Sequence, residues 1–362
     1  MKIIHIAGAR PNFVKIASVI KSCRKVSDIQ SILVHTGQHY SPNMSKAFFE
    51  DLNIPQPDIN LEVGSGSHAV QTAEIMKRFE PVLIEQAPDA VLVVGDVNST
   101  VACVLVAVKL GIKTIHVEAG LSSFDRTMPE EINRIVTDSI SDLLFVTEKS
   151  GRDNLIAEGV AEDKIHFVGN VMIDTLLENK VRADESDILD RLSLTEKEYA
   201  VITLHRPSNV DNREVLDGII DALECIQKDM TIVFPVHPRT VRNMKENGSI
   251  TRLEKLANIR LLEPLGYIDF LKLMADSKII LTDSGGMQEE SIILGVPCLT
   301  LRENTERPVT ITEGTNRLVG TSAKAILKGY EEAFIHSNGA RVPDLWDGKA
   351  ADRIASIIAE SA

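Results

Sequence analysis

Short β-branched runs alternate with longer amphipathic stretches along the whole chain, and this alternation limits the possible folds more than any other feature of the sequence. Residues 2–7, 31–35, 90–94, 114–117 and 143–146 read as strands buried on both faces. Between them lie helical patterns: 70–83 sets Val70, Ala73, Met76, Phe79 and Leu83 on one expected face, and Gly111 suits the end of the next helix. Strand and helix in turn mean βαβ units and a doubly wound parallel sheet. Around 182–197 the sequence becomes charged and poor in strand formers, after which the pattern restarts with strands at 199–204, 231–236, 260–262, 278–283 and 298–301. The expected fold class is therefore α/β, with two Rossmann-like doubly wound domains facing a central cleft. The first covers 1–169, joined by a C-terminal helix at 348–362, and the second covers 170–347. A chain of 362 residues has room for two such cores.

Composition then removes several classes of function. Hydrophobic residues at 44% and charged residues at 25% describe a globular chain. A net charge of −13 disfavours a nucleic-acid or anionic-membrane surface, since either needs a basic face. Cys23, Cys103, Cys225 and Cys298 are widely spaced and lack zinc-ligand neighbours, so they read as reduced core residues, with no metal expected. The apolar opening at 3–7 is too short for a signal peptide, and no later stretch offers about 18 uninterrupted apolar residues. A cytoplasmic location and no membrane partner are expected.

In open α/β sheets, ligands bind beyond the carboxyl ends of the strands. Arg10 and Lys15 follow the first strand and would suit an anionic phosphate. Asp96 and Glu118 each stand where a strand stops, and Pro129-Glu130-Glu131 opens a helix with two acids at its positive end. Asp96, Glu118 and one of that pair make an acid/base set. His205 and His237 end two strands of the second half and could donate to a phosphate or protonate a leaving group. Asp283-Ser284-Gly285-Gly286 runs from a strand through a small turn into a helix, leaving N–H groups aimed at an anion, with Glu290 one turn on and placed for ribose hydroxyls. Gly64-Ser65-Gly66-Ser67-His68-Ala69 matches a dinucleotide fingerprint but does not follow the first strand, so no nicotinamide cofactor is expected.

These residues, with Gly8-Ala9-Arg10-Pro11-Asn12, His116-Val117-Glu118-Ala119-Gly120-Leu121, Met128-Pro129-Glu130-Glu131-Ile132-Asn133-Arg134, Thr203-Leu204-His205-Arg206-Pro207 and Glu306-Arg307-Pro308, resemble the non-hydrolysing UDP-N-acetylglucosamine 2-epimerases. The match runs in order from residue 1 to about 320. The resemblance implies the GT-B architecture, a homodimer, a UDP-sugar substrate and no metal or other cofactor. It further implies that UDP is eliminated across C1 and C2 to give 2-acetamidoglucal and is then added back. Asp96, Glu118 and Glu131 would form the acid/base set and His205 would act with them. His205, Arg10, Lys15, Ser284 and Gly285 would steady the departing diphosphate, with Glu290 on the ribose and the loop carrying Tyr267 near the uracil, and Gly286, His237 and Arg307 would complete the substrate site. One alternative, a 2-epimerase of a UDP-diacetamido uronic acid, shares the signatures; a GT-B glycosyltransferase would use the same phosphate cradle without needing the three acids, and a nucleotide-sugar sensor is a third. Ser122 stands where the family pattern has arginine, with Arg126 as a substitute cation. Gln38-His39-Tyr40-Ser41-Pro42 departs from the Gln-His-Arg-Glu of members that a second substrate molecule activates, so that control is not expected here.

Overall fold

The computed structural model describes residues 1–37, 52, 54, 56–334 and 341–361. The departure at 38–42 lies outside the described residues. The chain forms two compact units, Met1–Glu178 with Asp344–Ala362, and Asn179–Pro343. The division falls inside the helix Val171–Asp184.

The first unit holds β1 (Lys2–Ala7), β2 (Gln30–His35), β3 (Ile59–Asn60), β4 (Ala90–Val94), β5 (Lys113–Ala119), β6 (Leu143–Val146) and β7 (Ile165–Phe167). They form one parallel sheet in the order β3-β2-β1-β4-β5-β6-β7. The second holds β8 (Tyr199–Thr203), β9 (Thr231–Pro235), β10 (Ile259–Leu262), β11 (Ile279–Thr282), β12 (Cys298–Thr300) and β13 (Asn316–Leu318), ordered β10-β9-β8-β11-β12-β13. Both sheets are the expected doubly wound kind. The central strands are buried almost throughout because helices cover both faces, leaving no exposed side for alternation to mark. Ile4, Ile6, Val91 and Val93 thus pack with Ile75, Phe79 and Leu83 of the helix His68–Gln86. In the second unit Ile202, Phe234 and Leu281 pack with Ile219, Ile220 and Leu223 of the helix Arg213–Ile226.

Two expectations need correction. The helix His68–Gln86 buries Gln71, Ile75, Phe79 and Leu83 and leaves Val70 exposed. Its phase is set by polar bonds: Gln71 Nε2 donates to the Gly64 carbonyl at 3.2 Å, and Gln71 Oε1 accepts from Asn98 Nδ2 at 2.8 Å. Cys23, Cys103 and Cys298 are buried and reduced, but Cys225 is exposed near the end of Arg213–Ile226, on the face turned from the sheet. Among the described residues no helix is long and apolar enough to cross a membrane.

Candidate active site

In a sheet ordered 3-2-1-4-5-6, connections leave strands 1 and 4 toward opposite faces and open a crevice at their carboxyl ends. That switch point falls between β1 and β4 in the first unit and between β8 and β11 in the second. The chemically distinctive residues of each unit gather there.

In the first unit, Asn12 fastens the turn after β1 to the end of β4. Its Oδ1 accepts from the Ala9 N–H at 2.9 Å and its Nδ2 donates to the Val94 carbonyl at 2.8 Å. Arg10 is the first residue of the helix Arg10–Lys25; its side chain lies outside the described part of the structure. Lys15, one turn in, is nearly buried, and its Nζ lies 2.6 Å from Glu118 Oε2. The structure therefore sets Lys15 beside a carboxylate of the acid set. A Cβ on Gly95 would come within 3.0 Å of that ammonium, so glycine leaves room for it. Glu118 sits at φ +73°, a left-handed conformation disfavoured for residues with a side chain, at a register shift in the pairing of β5 with β6. Bulges of this kind re-aim one side chain beside a site.

Of the two glutamates at 130 and 131, the buried one is Glu131; Glu130 is exposed. Glu131 accepts from the Ser123 N–H at 3.0 Å, the Ser123 hydroxyl at 3.1 Å, the Phe124 N–H at 3.2 Å and the Ser122 hydroxyl. Arg134 lies 2.7 Å from Glu131 Oε2 through Nη1 and bonds Asp96 through Nη2. Arg134 thus carries the positive charge between two of the acids, while Arg126 is exposed. Ser122 forms part of the mount for Glu131. The family motif contains Arg134, but nothing in sequence spacing assigns it to Asp96, because the bond spans 38 residues. Asp96 keeps a side-chain exposure of 22%, so it is the most accessible of the three acids.

In the second unit, His205 Nδ1 lies 2.8 Å from Asp283 Oδ1. Asp283 also accepts the His205 N–H at 3.0 Å, the Arg206 N–H at 2.9 Å and Asn209 Nδ2 at 3.3 Å. Burial pushes the Asp283 carboxyl up, but His205 and these N–H groups together outweigh it and hold it below the usual range. With Nδ1 anchored, Nε2 of His205 is the nitrogen left for a ligand. The ring of His237 lies 6.3 Å from that of His205, and its Nδ1 accepts the Arg239 N–H at 3.2 Å, capping the helix Pro238–Asn247.

Ser284 caps the helix Gly285–Leu294 through its backbone geometry without a side-chain bond to it, and Ser284, Gly285 and Gly286 remain partly open. A Cβ on Gly285 would lie 2.5 Å from Arg307 Nη1, so the guanidinium packs directly under the first turn. Arg307 pairs with Glu289 at 2.7 Å and with Glu306, and Arg302 pairs with Glu306 at 2.7 Å. Arg206 lies 3.4 Å from the same Glu306. Burial raises the Glu306 carboxyl, yet Arg307, Arg302 and Arg206 hold it well below the carboxylate range. Three guanidiniums facing two carboxylates beneath a helix N-terminus leave an excess of positive charge for an anion. Tyr267 is turned inward, its hydroxyl 3.1 Å from Glu290 Oε1, and burial lifts the Glu290 carboxyl to about 8.

No group of three or more His, Cys, Asp or Glu is arranged to hold a metal ion among the described residues. Residues 21–359 match the family model described as UDP-N-acetylglucosamine 2-epimerase. The UDP-N-acetylglucosamine 2-epimerase of Methanococcus maripaludis is 44% identical, over 99% of this chain and 98% of its own. The UDP-2,3-diacetamido-2,3-dideoxy-D-glucuronate 2-epimerase of Pseudomonas aeruginosa is 40% identical over 99% of this chain and all of its own length, 100%. Among solved structures, the Methanocaldococcus jannaschii UDP-GlcNAc 2-epimerase in complex with UDP-GlcNAc and UDP superposes with a TM-score of 0.94 at 43% identity, covering 99% of this chain and 100% of that one.

Proposed function

The chain belongs to the UDP-N-acetylglucosamine 2-epimerase family, and from that premise we propose that it interconverts UDP-N-acetylglucosamine and its manno epimer by eliminating UDP and adding it back. The observation that carries this reading is the set of three carboxylates at the first unit's switch point, held by Lys15 and Arg134. Inversion at C2 has no adjacent carbonyl to acidify the proton, so a base must take it as the C1–O bond to UDP breaks. A second group must then deliver a proton to the opposite face. Asp96 and Glu118 are assigned to these two transfers. Glu131 already accepts from the 122–124 segment and from Arg134, and its part is to hold that segment and the cation in place.

The departing diphosphate gathers negative charge in the transition state, and preorganised donors aimed at it lower the barrier. The second unit offers the N–H groups of Ser284, Gly285 and Gly286, the excess charge of the Arg307 cluster, and Nε2 of His205 oriented by Asp283. Arg10 and His237 are assigned to the same diphosphate. Lys15 is assigned to Glu118, Glu290 to the ribose, and Tyr267 to keeping Glu290 in place. A cytoplasmic homodimer is the working form this reading carries.

The test is incubation of the protein with UDP-N-acetylglucosamine in D2O. Deuterium should enter at C2 and the manno epimer should accumulate, and a UDP sugar recovered without deuterium would overturn the proposal. The Pseudomonas aeruginosa relative favours a second substrate, a UDP-diacetamido uronic acid. Comparing kcat/KM on both sugars distinguishes the two.

A further inference from the structure

The turns that carry Asp96 and Glu118 share a buried partner outside the reacting groups. His116, inside β5 and wholly buried, has a hydrogen-bond partner on each ring nitrogen. Nε2 lies 2.9 Å from the Gly95 carbonyl oxygen, and Nδ1 lies 2.6 Å from Asp138 Oδ1. The second oxygen of Asp138 accepts the Gly120 N–H at 2.9 Å. A carbonyl has no proton to give, so Nε2–H is the donor, and one further proton lies between Nδ1 and Asp138.

The bonds sit where the sheet stops specifying position. Pairing of β4 with β5 ends at Val94 and Val117, and the Gly95 N–H to Val117 carbonyl bond of 3.0 Å follows it. Beyond it the backbone turns left-handed at Gly95 (φ +65°), Glu118 (φ +73°) and Gly120 (φ +75°). The His116–Asp138 pair grips the first of these turns by its carbonyl and the last by its N–H. Asp138 also follows Glu131 and Arg134 at helical spacing, and all three are buried on the helix Pro129–Ile140. One pair of side chains therefore links the mounts of all three acids.

We propose that His116 and Asp138 are positioning residues for catalysis: without touching substrate, they fix the distance and direction between the turns bearing Asp96 and Glu118. The proposal rests on the reading of those acids as proton-transfer groups. Hydrogen bonds suit the task because they constrain direction, which apolar packing does not.

Asp138→Ala and Asp138→Asn in the full chain separate this role from simple stability. Asparagine can give Nδ2–H to a neutral His116 Nδ1 and accept the Gly120 N–H, keeping both bonds, whereas alanine keeps neither. The alanine variant should lose about 100-fold in kcat, the scale of a misplacement of about 1 Å, with KM and the Kd for UDP within about threefold. The asparagine variant should return to within about tenfold of the wild-type kcat. A folded alanine variant with wild-type kcat overturns the proposal, as does a folded asparagine variant as slow as alanine. Should Asp138→Ala fail to fold, His116→Gln replaces it, since glutamine can reach one partner but not both. A similar loss in kcat at unchanged UDP affinity supports the proposal, and unchanged kcat sinks it. Wild-type exchange at C2 is measured first: its absence refutes the functional reading, whereas exchange by wild type and full activity without Asp138 refutes only the positioning role.

Discussion

Glu290 is buried in the second unit, 4% exposed, and accepts a hydrogen bond from the Tyr267 hydroxyl, and burial carries its carboxyl from an ordinary 4.5 to about 8. The folded protein therefore holds a proton there that the unfolded chain releases above about pH 4.5. It binds more protons than the unfolded chain between those two values, so stability falls as pH rises through the window. Glu290→Gln removes this term and keeps the shape. Its stability relative to wild type should rise by roughly 2 to 3 kcal/mol between pH 5 and pH 7, read from denaturant midpoints at each pH. A constant difference across that range would show that Glu290 is ionised in the fold. The same dependence on surroundings separates Glu131 from Glu130. They are adjacent in sequence, yet one meets Arg134 and the 122–124 segment and the other meets water.

β5 shows what an element adds. Its apolar run stops at Val117, and the chain then passes through a bulge and a left-handed glycine against the start of the helix Lys149–Ala157. A Cβ on Gly120 would lie 2.2 Å from the Gly151 carbonyl oxygen, a backbone atom that cannot swing aside. Gly120→Ala should therefore force strand end and helix apart, costing at least roughly 2 kcal/mol in addition to the left-handed penalty. Thermal denaturation checks the cost, and kcat checks whether the shift reaches Glu118. A variant with wild-type melting temperature would mean that the two backbones can part freely. The strands β3, β7 and β13 are not legible in the sequence, being only two or three residues long at sheet margins with too little apolar sequence to show a period. The helix His68–Gln86 was legible as a helix, but its buried face followed Gln71, a polar residue whose partners are distant in sequence.

At the scale of the whole molecule, the chain leaves the first unit after Glu178 and returns to it at Asp344. The return is fixed by Trp346, a fully buried side chain whose Nε1 donates to the Thr147 carbonyl at 2.9 Å. The helix Ala350–Glu360 then packs on Arg10–Lys25, and Asp174 accepts the N–H groups of Ala350 and Ala351 at 3.2 and 2.6 Å. Trp346→Ala should destabilise the first unit by about 3 to 5 kcal/mol through the cavity and the unpaired carbonyl. Hydrogen exchange should place the loss in residues 1–178 and 344–361 and spare the second unit. Equal loss of protection in both units would contradict this.

The sequence by itself determined the class of fold, the succession of the longer strands and the polar residues at their carboxyl ends. Each depends on local pattern: β-branched runs for strands buried on both faces, helical periods between them, and polar residues where a run stops. Only the tertiary structure decided how those residues act together. It set Lys15 on Glu118, Arg134 between Asp96 and Glu131, Asp283 behind His205, and His116 with Asp138 beneath two turns. Apart from the bond between Glu131 and Arg134, these contacts join residues from 22 to 103 positions apart, and the strand order together with the helices packed on the sheets brings them within hydrogen-bond reach.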